Sequence, residues 1–64
     1  MNPPIGKEVK YMGGPAFAHL WGDRLIVRWL GGIAIKRPAE LADLEALPAD
    51  IQPADLAGFE VSEH

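Results

Sequence analysis

The groups able to do chemistry in this 64-residue chain are two histidines, nine carboxylates, one serine and a set of aromatic and cationic side chains; there is no cysteine. His19 sits inside an alternating apolar stretch and His64 is the last residue, so the two do not form a pair by spacing. A Ser-His-Asp arrangement would have to recruit Ser62 from a terminal tail, where no packed shell orients it. With separated histidines and no thiolate, a metal site would need carboxylates gathered from distant positions, and the spacing supports none. Glu40, Asp43, Asp50 and Asp55 could suggest acid/base or calcium work. Asp43 and Glu45, however, fall on the outward side of a leucine-lined helix, and a calcium loop requires a glycine-bent oxygen cage that is missing. Gly13-Gly14 and Gly31-Gly32 lack the strand-to-helix context and the following Lys-Ser/Thr of a phosphate loop. The expectation is a protein that is not an enzyme and takes no metal, cofactor or small-molecule substrate.

The aromatic and basic side chains are a stronger signal. Tyr11, Phe17, Trp21 and Trp29 lie among Lys10, Arg24 and Arg28, and aromatic platforms with basic flanks are how single-stranded nucleic acids are bound. Against that reading, Ile26, Leu30, Ile33 and Ile35 interleave with the charges, and the chain is acidic overall, with net charge -3. Trp, Phe and Arg among aliphatics are also the composition of protein-interface centres. Nucleic acid is therefore the weaker expectation and a protein partner the stronger.

Which of these side chains share a surface depends on the strands that carry them. Apolar runs at 16–21, 24–30 and 33–37 are separated by Gly22-Asp23 and Gly31-Gly32, residue pairs suited to two-residue hairpin turns. Lys7 to Met12 alternates as a further strand, closed by Gly13-Gly14-Pro15. If the pairs are loops, register follows, and paired residues share a face. Trp21 then opposes Arg24, His19 opposes Ile26, Phe17 opposes Arg28, and across the second turn Leu30 opposes Ile33. One face holds Ala18, Leu20, Leu25, Val27, Trp29 and Ala34, with Lys36 at its margin, and reads as core. On the other face the first strand places Phe17, His19 and Trp21, the second Arg24, Ile26 and Arg28. Leu30, Ile33 and Ile35 complete it. This face is too apolar for solvent and is the candidate protein interface, with Arg24 and Arg28 within cation-π reach of Trp21 and Phe17. The bland alternative is that it is also internal, covered by residues 7–12, the N-terminal arm or the C-terminal tail.

Past Pro38 the period changes. Leu41, Leu44 and Leu47 recur every third residue among good helix formers, predicting a helix from about Pro38 to Leu47. Pro48 stops it, and replacing Pro48 by alanine should lengthen it. The pattern Pro-Ala-acid-aliphatic occurs at Pro38, Pro48 and Pro53 and reads as one device, a proline opening a turn with an acid in it, rather than as a docking motif. Gly58 to Val61 could return as a short strand at the sheet edge, beside residues 7–12. The fold class expected is α+β: a three- or four-strand antiparallel meander, open or closed into a small barrel, one short helix and an irregular acidic C-terminal segment. Residues 1–6 read as an extended arm because of Pro3-Pro4, residues 7–61 as a single small domain, and residues 62–64 as a frayed end.

Size and charge bear on partners. A chain this short buries a modest core and often leans on a staple or a partner. All six basic residues fall within the first 37 positions against Glu8 and Asp23, giving +4, while residues 38–64 carry seven acids and no cation, giving -7. Such polarity suits folding of the two halves together, head-to-tail packing of copies, or two separate partners. No apolar run approaches the roughly 20 residues of a membrane-spanning helix, and MNPPIGKEVK has no signal-peptide core, so no membrane partner and a cytoplasmic location are the default.

The layout resembles a family of very short proteins that tailed bacteriophages encode near their head genes. The residues that carry the likeness are Val9, Tyr11 and Gly13 in "EVKYMGG", then Pro38, Glu40, Leu41, Ala42 and Leu44 in a "Pro-x-Glu-Leu-Ala-x-x-Leu" helix, then Gly58-Phe59-Glu60-Val61. Together they span most of the chain, although the hairpin around Trp21 and Trp29 is more aromatic than the pattern. The resemblance implies a non-enzymatic, head-associated virion protein that binds other subunits or copies of itself. Read from the residues alone, a small inhibitor of a host enzyme and a single-strand nucleic-acid binder stand as alternatives.

Overall fold

A computed structural model describes residues 5–63. The expected N-terminal arm lies outside the described residues over positions 1–4, and so does the expected fray at His64. The chain runs β1 (Ile5–Tyr11), β2 (Gly14–Trp21), β3 (Arg24–Trp29), β4 (Gly32–Lys36), α1 (Leu41–Glu45), β5 (Asp50–Ile51), a 3₁₀ turn (Pro53–Leu56) and β6 (Glu60–Glu63). It is a small, mostly β fold with one short helix, built on a six-stranded curled sheet of order β5-β1-β2-β3-β4-β6. That is more sheet than the three or four strands expected from sequence. Ile5 and Gly6, assigned to the arm, are strand, as are Ser62 and Glu63, assigned to the frayed end.

The meander forms because each turn suits its residues. Gly22 has φ +62° at the first central position of the β2–β3 turn, where a glycine is favoured. Between β1 and β2 the turn is Met12-Gly13, both at positive φ, so β1 ends one residue before the expected Met12, and Gly14 and Pro15, expected to close it, belong to β2. Gly14 is freed to pair with Tyr11, and Pro15 pairs with Lys10 beyond the end of β3, so its missing donor interrupts no ladder on that side.

The β2–β3 register is the expected one, from Trp21–Arg24 to Ala16–Trp29. The β3–β4 register is not. Val27 pairs with Ala34 and Trp29 with Gly32, so Leu30-Gly31 is the turn and Gly32 is the first residue of β4. The cause lies in β6. A Cβ on Gly32 would fall well inside contact distance of the Ser62 carbonyl oxygen and 3.0 Å from Glu63 Cα, so only glycine lets β6 lie this close. The shift from the expected pairing is two residues, an even number, and both face assignments survive it.

The core is the predicted inner face with its cover. Val9, Ala18, Leu25, Val27 and Ala34 from the sheet are buried with Ala39, Leu44, Ile51 and Leu56. Ala18 and Ala34 flank Val27 in one row, a small-large-small arrangement that leaves room for Leu44 and Leu56. At one end Tyr11 stacks on Trp29 with centroids 4.4 Å apart.

The helix is shorter than its periodicity suggests. Ala39 is buried and its N–H donates to the Asp23 carbonyl at 2.7 Å, which ties residues 38 and 39 to the β2–β3 turn. Glu40 is therefore the N-cap, its N–H donating to Asp43 Oδ2 at 2.7 Å. Of the three leucines, Leu44 is buried, Leu47 packs at the core margin and Leu41 is exposed.

The segment after α1 is not irregular. Lys10 N–H donates to the Ala49 carbonyl and Met12 N–H to the Ile51 carbonyl, each at 2.8 Å, which places β5 parallel to β1. β6 pairs antiparallel with β4, on the opposite edge from residues 7–12, where the sequence had suggested it could lie. The three Pro-Ala-acid-aliphatic copies thus adopt three structures: a helix approach, a strand and a 3₁₀ turn. Only the last has its proline opening a turn as expected, with Gln52 N–H donating to Asp55 Oδ2 at 2.9 Å.

Candidate protein interface

The outer face of the sheet is built by the β2–β3 hairpin. Strand alternation sends Phe17, His19 and Trp21 of β2 and Arg24, Ile26 and Arg28 of β3 to the side opposite the core, and Ile33 and Ile35 of β4 extend the row. Phe17 is 44% and Trp21 61% exposed, the two arginines are exposed, and His19, Ile26, Ile33 and Ile35 are half-buried. The helix and the 3₁₀ turn pack on the other face, through Leu44 and Leu56, and no helix or strand among the described residues covers this one.

Leu30 is the exception among the expected interface residues. It stands in the β3–β4 turn, 87% exposed, and is not paired with Ile33, which lies opposite Arg28 and Ser62. The two-residue register shift moved it off the ladder. It still borders a shallow hollow at that end of the face, together with Lys10, Phe17 and Arg28.

Sequence reasoning did not see that β1 and β6 extend the face at both sides. Glu8 pairs with Phe17 and Gly6 with His19 from β1, while Glu60 pairs with Ile35 and Ser62 with Ile33 from β6. The alternation of residues 7–12 was legible, but its parity depended on a turn whose first residue is methionine. For β6 no turn signal existed.

Gly6 shapes the surface. A Cβ there would come within 2.8 Å of the Phe17 ring, which therefore lies across β1 on the one residue without a side chain. Phe17 contacts His19 in turn, with ring centroids 5.9 Å apart. Because that ring leans toward β1, the expected Phe17–Arg28 cation-π contact is not formed, and among the described residues neither Arg24 nor Arg28 stacks on an aromatic ring.

The electrostatics follow from this layout. The ion pairs among the described residues are Lys36–Asp43 at 3.1 Å and Arg37–Asp23 at 3.3 Å, both at the surface. Arg24, Arg28, Glu8 and Glu60 take part in neither, so the outer face carries both signs of charge without internal pairing. Partial burial holds the His19 imidazole below its ordinary value of 6.5, and Arg28 adds to the effect. On the far side, the Glu40 N–H and Lys36 hold the Asp43 carboxyl below its usual value of 3.8.

Among the described residues no three His, Cys, Asp or Glu side chains gather as a metal-binding group, and no helix is long and apolar enough to cross a membrane. Comparison of the chain with models of known protein families, with curated proteins and with solved structures finds no match.

Proposed function

We propose that this chain is a non-enzymatic structural or assembly subunit that binds other protein chains through the outer face of its sheet, as a head-associated virion component of a tailed bacteriophage. The observation that carries the interface reading is the exposure of Phe17 and Trp21 beside Arg24 and Arg28 on a face that no described element covers, in a chain whose core lies entirely on the other side. Aromatic and arginine side chains at the centre of a patch with aliphatic neighbours are the composition of interface hot spots. The virion setting rests on the order of the sequence motifs at residues 8–14, 38–44 and 58–61.

The test is the mass of the species that contains the chain in its source. A tagged chain should sediment with a large particle and be present in many copies, and Trp21→Ser should abolish that association while leaving the fold intact by circular dichroism. Recovery in a discrete one-to-one complex with an enzyme would refute the proposal in favour of an inhibitor. Single-strand DNA binding that falls steeply with salt would refute it in favour of a nucleic-acid module.

A further inference from the structure

We propose that the hollow lined by Arg24, Ile35, Arg37, Pro38, Gly58 and Glu60 receives the C-terminal residue of a partner polypeptide, with its carboxylate held by the two arginines. This rests on reading the chain as one that binds other protein chains, and it names the chemistry by which a partner is recognised.

The end of a ladder brings the two guanidinium groups to one place. Leu25 pairs with Lys36 in the last pair of β3 and β4, so Arg24, one residue earlier, and Arg37, one residue later, flank the same point. Asp23 holds the second of them. Its carboxylate accepts from Arg37 Nε at 3.3 Å, and its carbonyl accepts from the Ala39 N–H at 2.7 Å, which ties the Arg37-Pro38 wall to the β2–β3 turn. The bond to Asp23 engages Nε and leaves the two Nη groups of Arg37 to donate elsewhere. Arg24 has no ionic partner among the described residues.

The charges around the hollow select the ligand. Two arginines call for an oxyanion, and a planar carboxylate matches the fork of a guanidinium. Glu60 lines the same hollow and forms no ion pair with either arginine, so unlike charges border one space without closing it. A phosphate or a polyanion brings acceptors alone and meets repulsion from Glu60. The last residue of a polypeptide brings a carboxylate for the arginines and, from its own backbone, an N–H donor for Glu60. Capture of a chain terminus by such groups is a recurring mode of peptide recognition. Ile35 and Pro38 supply apolar wall for the terminal side chain, and Gly58, at φ +89°, adds backbone without a side chain to the rim. The hollow, of about 680 Å³, is within the range of small-ligand sites and has room for a terminal residue.

Titration of the isotope-labelled chain with an acetylated tripeptide ending in leucine, followed by NMR, tests this. The free acid should shift the amides of Arg37, Gly58 and Glu60, and the same peptide with its C-terminus amidated should bind at least about tenfold more weakly. Arg24→Gln and Arg37→Gln, both at exposed positions, should each weaken binding of the acid by a similar factor with unchanged circular dichroism. Glu60→Ala decides by its sign: it should weaken the peptide, whereas at a plain anion site it would strengthen binding. Equal binding of acid and amide, no shift at millimolar peptide, a stronger peptide complex in Glu60→Ala, or tighter binding of inorganic phosphate or an oligothymidylate would each overturn the inference. If no free acid binds yet Trp21→Ser abolishes particle association, the carboxylate site is refuted and the structural-subunit proposal stands. If the acid binds with the expected dependence on Arg24, Arg37 and Glu60 but the chain never joins a particle, the outcome is the reverse.

Discussion

Replacing Gly32 by alanine gives a test in which the sign of the effect decides the matter. Gly32 does not have positive φ, so alanine suits its backbone, and such a change by itself stabilises a protein by about 0.4–1 kcal/mol through the unfolded chain. The docked β6 reverses this, since the new Cβ would collide with the Ser62 carbonyl oxygen and press on Glu63 Cα at 3.0 Å. Both contacts are backbone atoms of a strand held by four register pairs, from Gly32–Glu63 to Ile35–Glu60, and cannot be relieved by a rotamer change. Overpacking of this kind costs about 1–3 kcal/mol, which for a domain of this size lowers the melting temperature by roughly 4–8 °C per kcal/mol. The assay is thermal unfolding combined with amide exchange. Gly32→Ala should melt lower than the wild type, and the amides of residues 61–63 should exchange faster while those of β2 and β3 stay protected. An equal or higher melting temperature with unchanged exchange would show that β6 does not lie against Gly32 and would restore the simpler reading of Gly31-Gly32 as the hairpin turn.

Ile51 is fully buried on a two-residue strand, so Ile51→Ala should cost about 2–5 kcal/mol in urea unfolding, a large share of the total for so small a domain. Pro48→Ala should not lengthen α1, contrary to the expectation from periodicity. The Ala49 carbonyl is held by Lys10 N–H at 2.8 Å and Ile51 by the core, and an unchanged helical signal with unchanged β5 amide protection checks it. His19 has its pKa lowered in the fold, first by burial and then by Arg28, so the unfolded chain takes up the proton first. Stability is full above 6.5 and declines as pH falls from there through the folded value; melting temperatures measured across that range should show the slope, and His19→Asn should remove it. Met12 at φ 50° holds a turn position suited to asparagine, and Met12→Asn should raise stability by roughly 0.5–1 kcal/mol in the same urea assay.

What could be read from the residues follows the range of the interactions that decide it. The β2–β3 hairpin was legible because Gly22-Asp23 is a local signal, and a two-residue turn specifies every pair that follows. From it came both faces, the core at Ala18, Leu25 and Val27, and the outer set of Phe17, His19, Trp21, Arg24, Ile26 and Arg28. The position of Leu30 was not legible, because Gly32 answers to a strand about thirty residues later. The chain contains two adjacent glycines and no local sign of which one the turn would use. Likewise Met12, an unfavoured residue at positive φ, enters the first turn where β1 is gripped on its other side by the segment at β5, with Lys10 donating to the Ala49 carbonyl and Met12 to that of Ile51.

The amino-acid sequence by itself determined a small β-rich chain with one short helix, the division of its central strands into an apolar core face and an aromatic, cationic face, and the polarity of charge between its halves. These depend on composition, on period-two alternation and on a turn of adjacent residues. Tertiary structure alone decided that β5 and β6 take the two edges, that Leu44, Ile51 and Leu56 close the inner face while the outer one stays uncovered by any described element, and that three copies of Pro-Ala-acid-aliphatic become three different structures. The reason is physical. A tetrapeptide's own preferences are worth less than burying one isoleucine or pairing two backbone amides with β1, and those gains come from residues far along the chain.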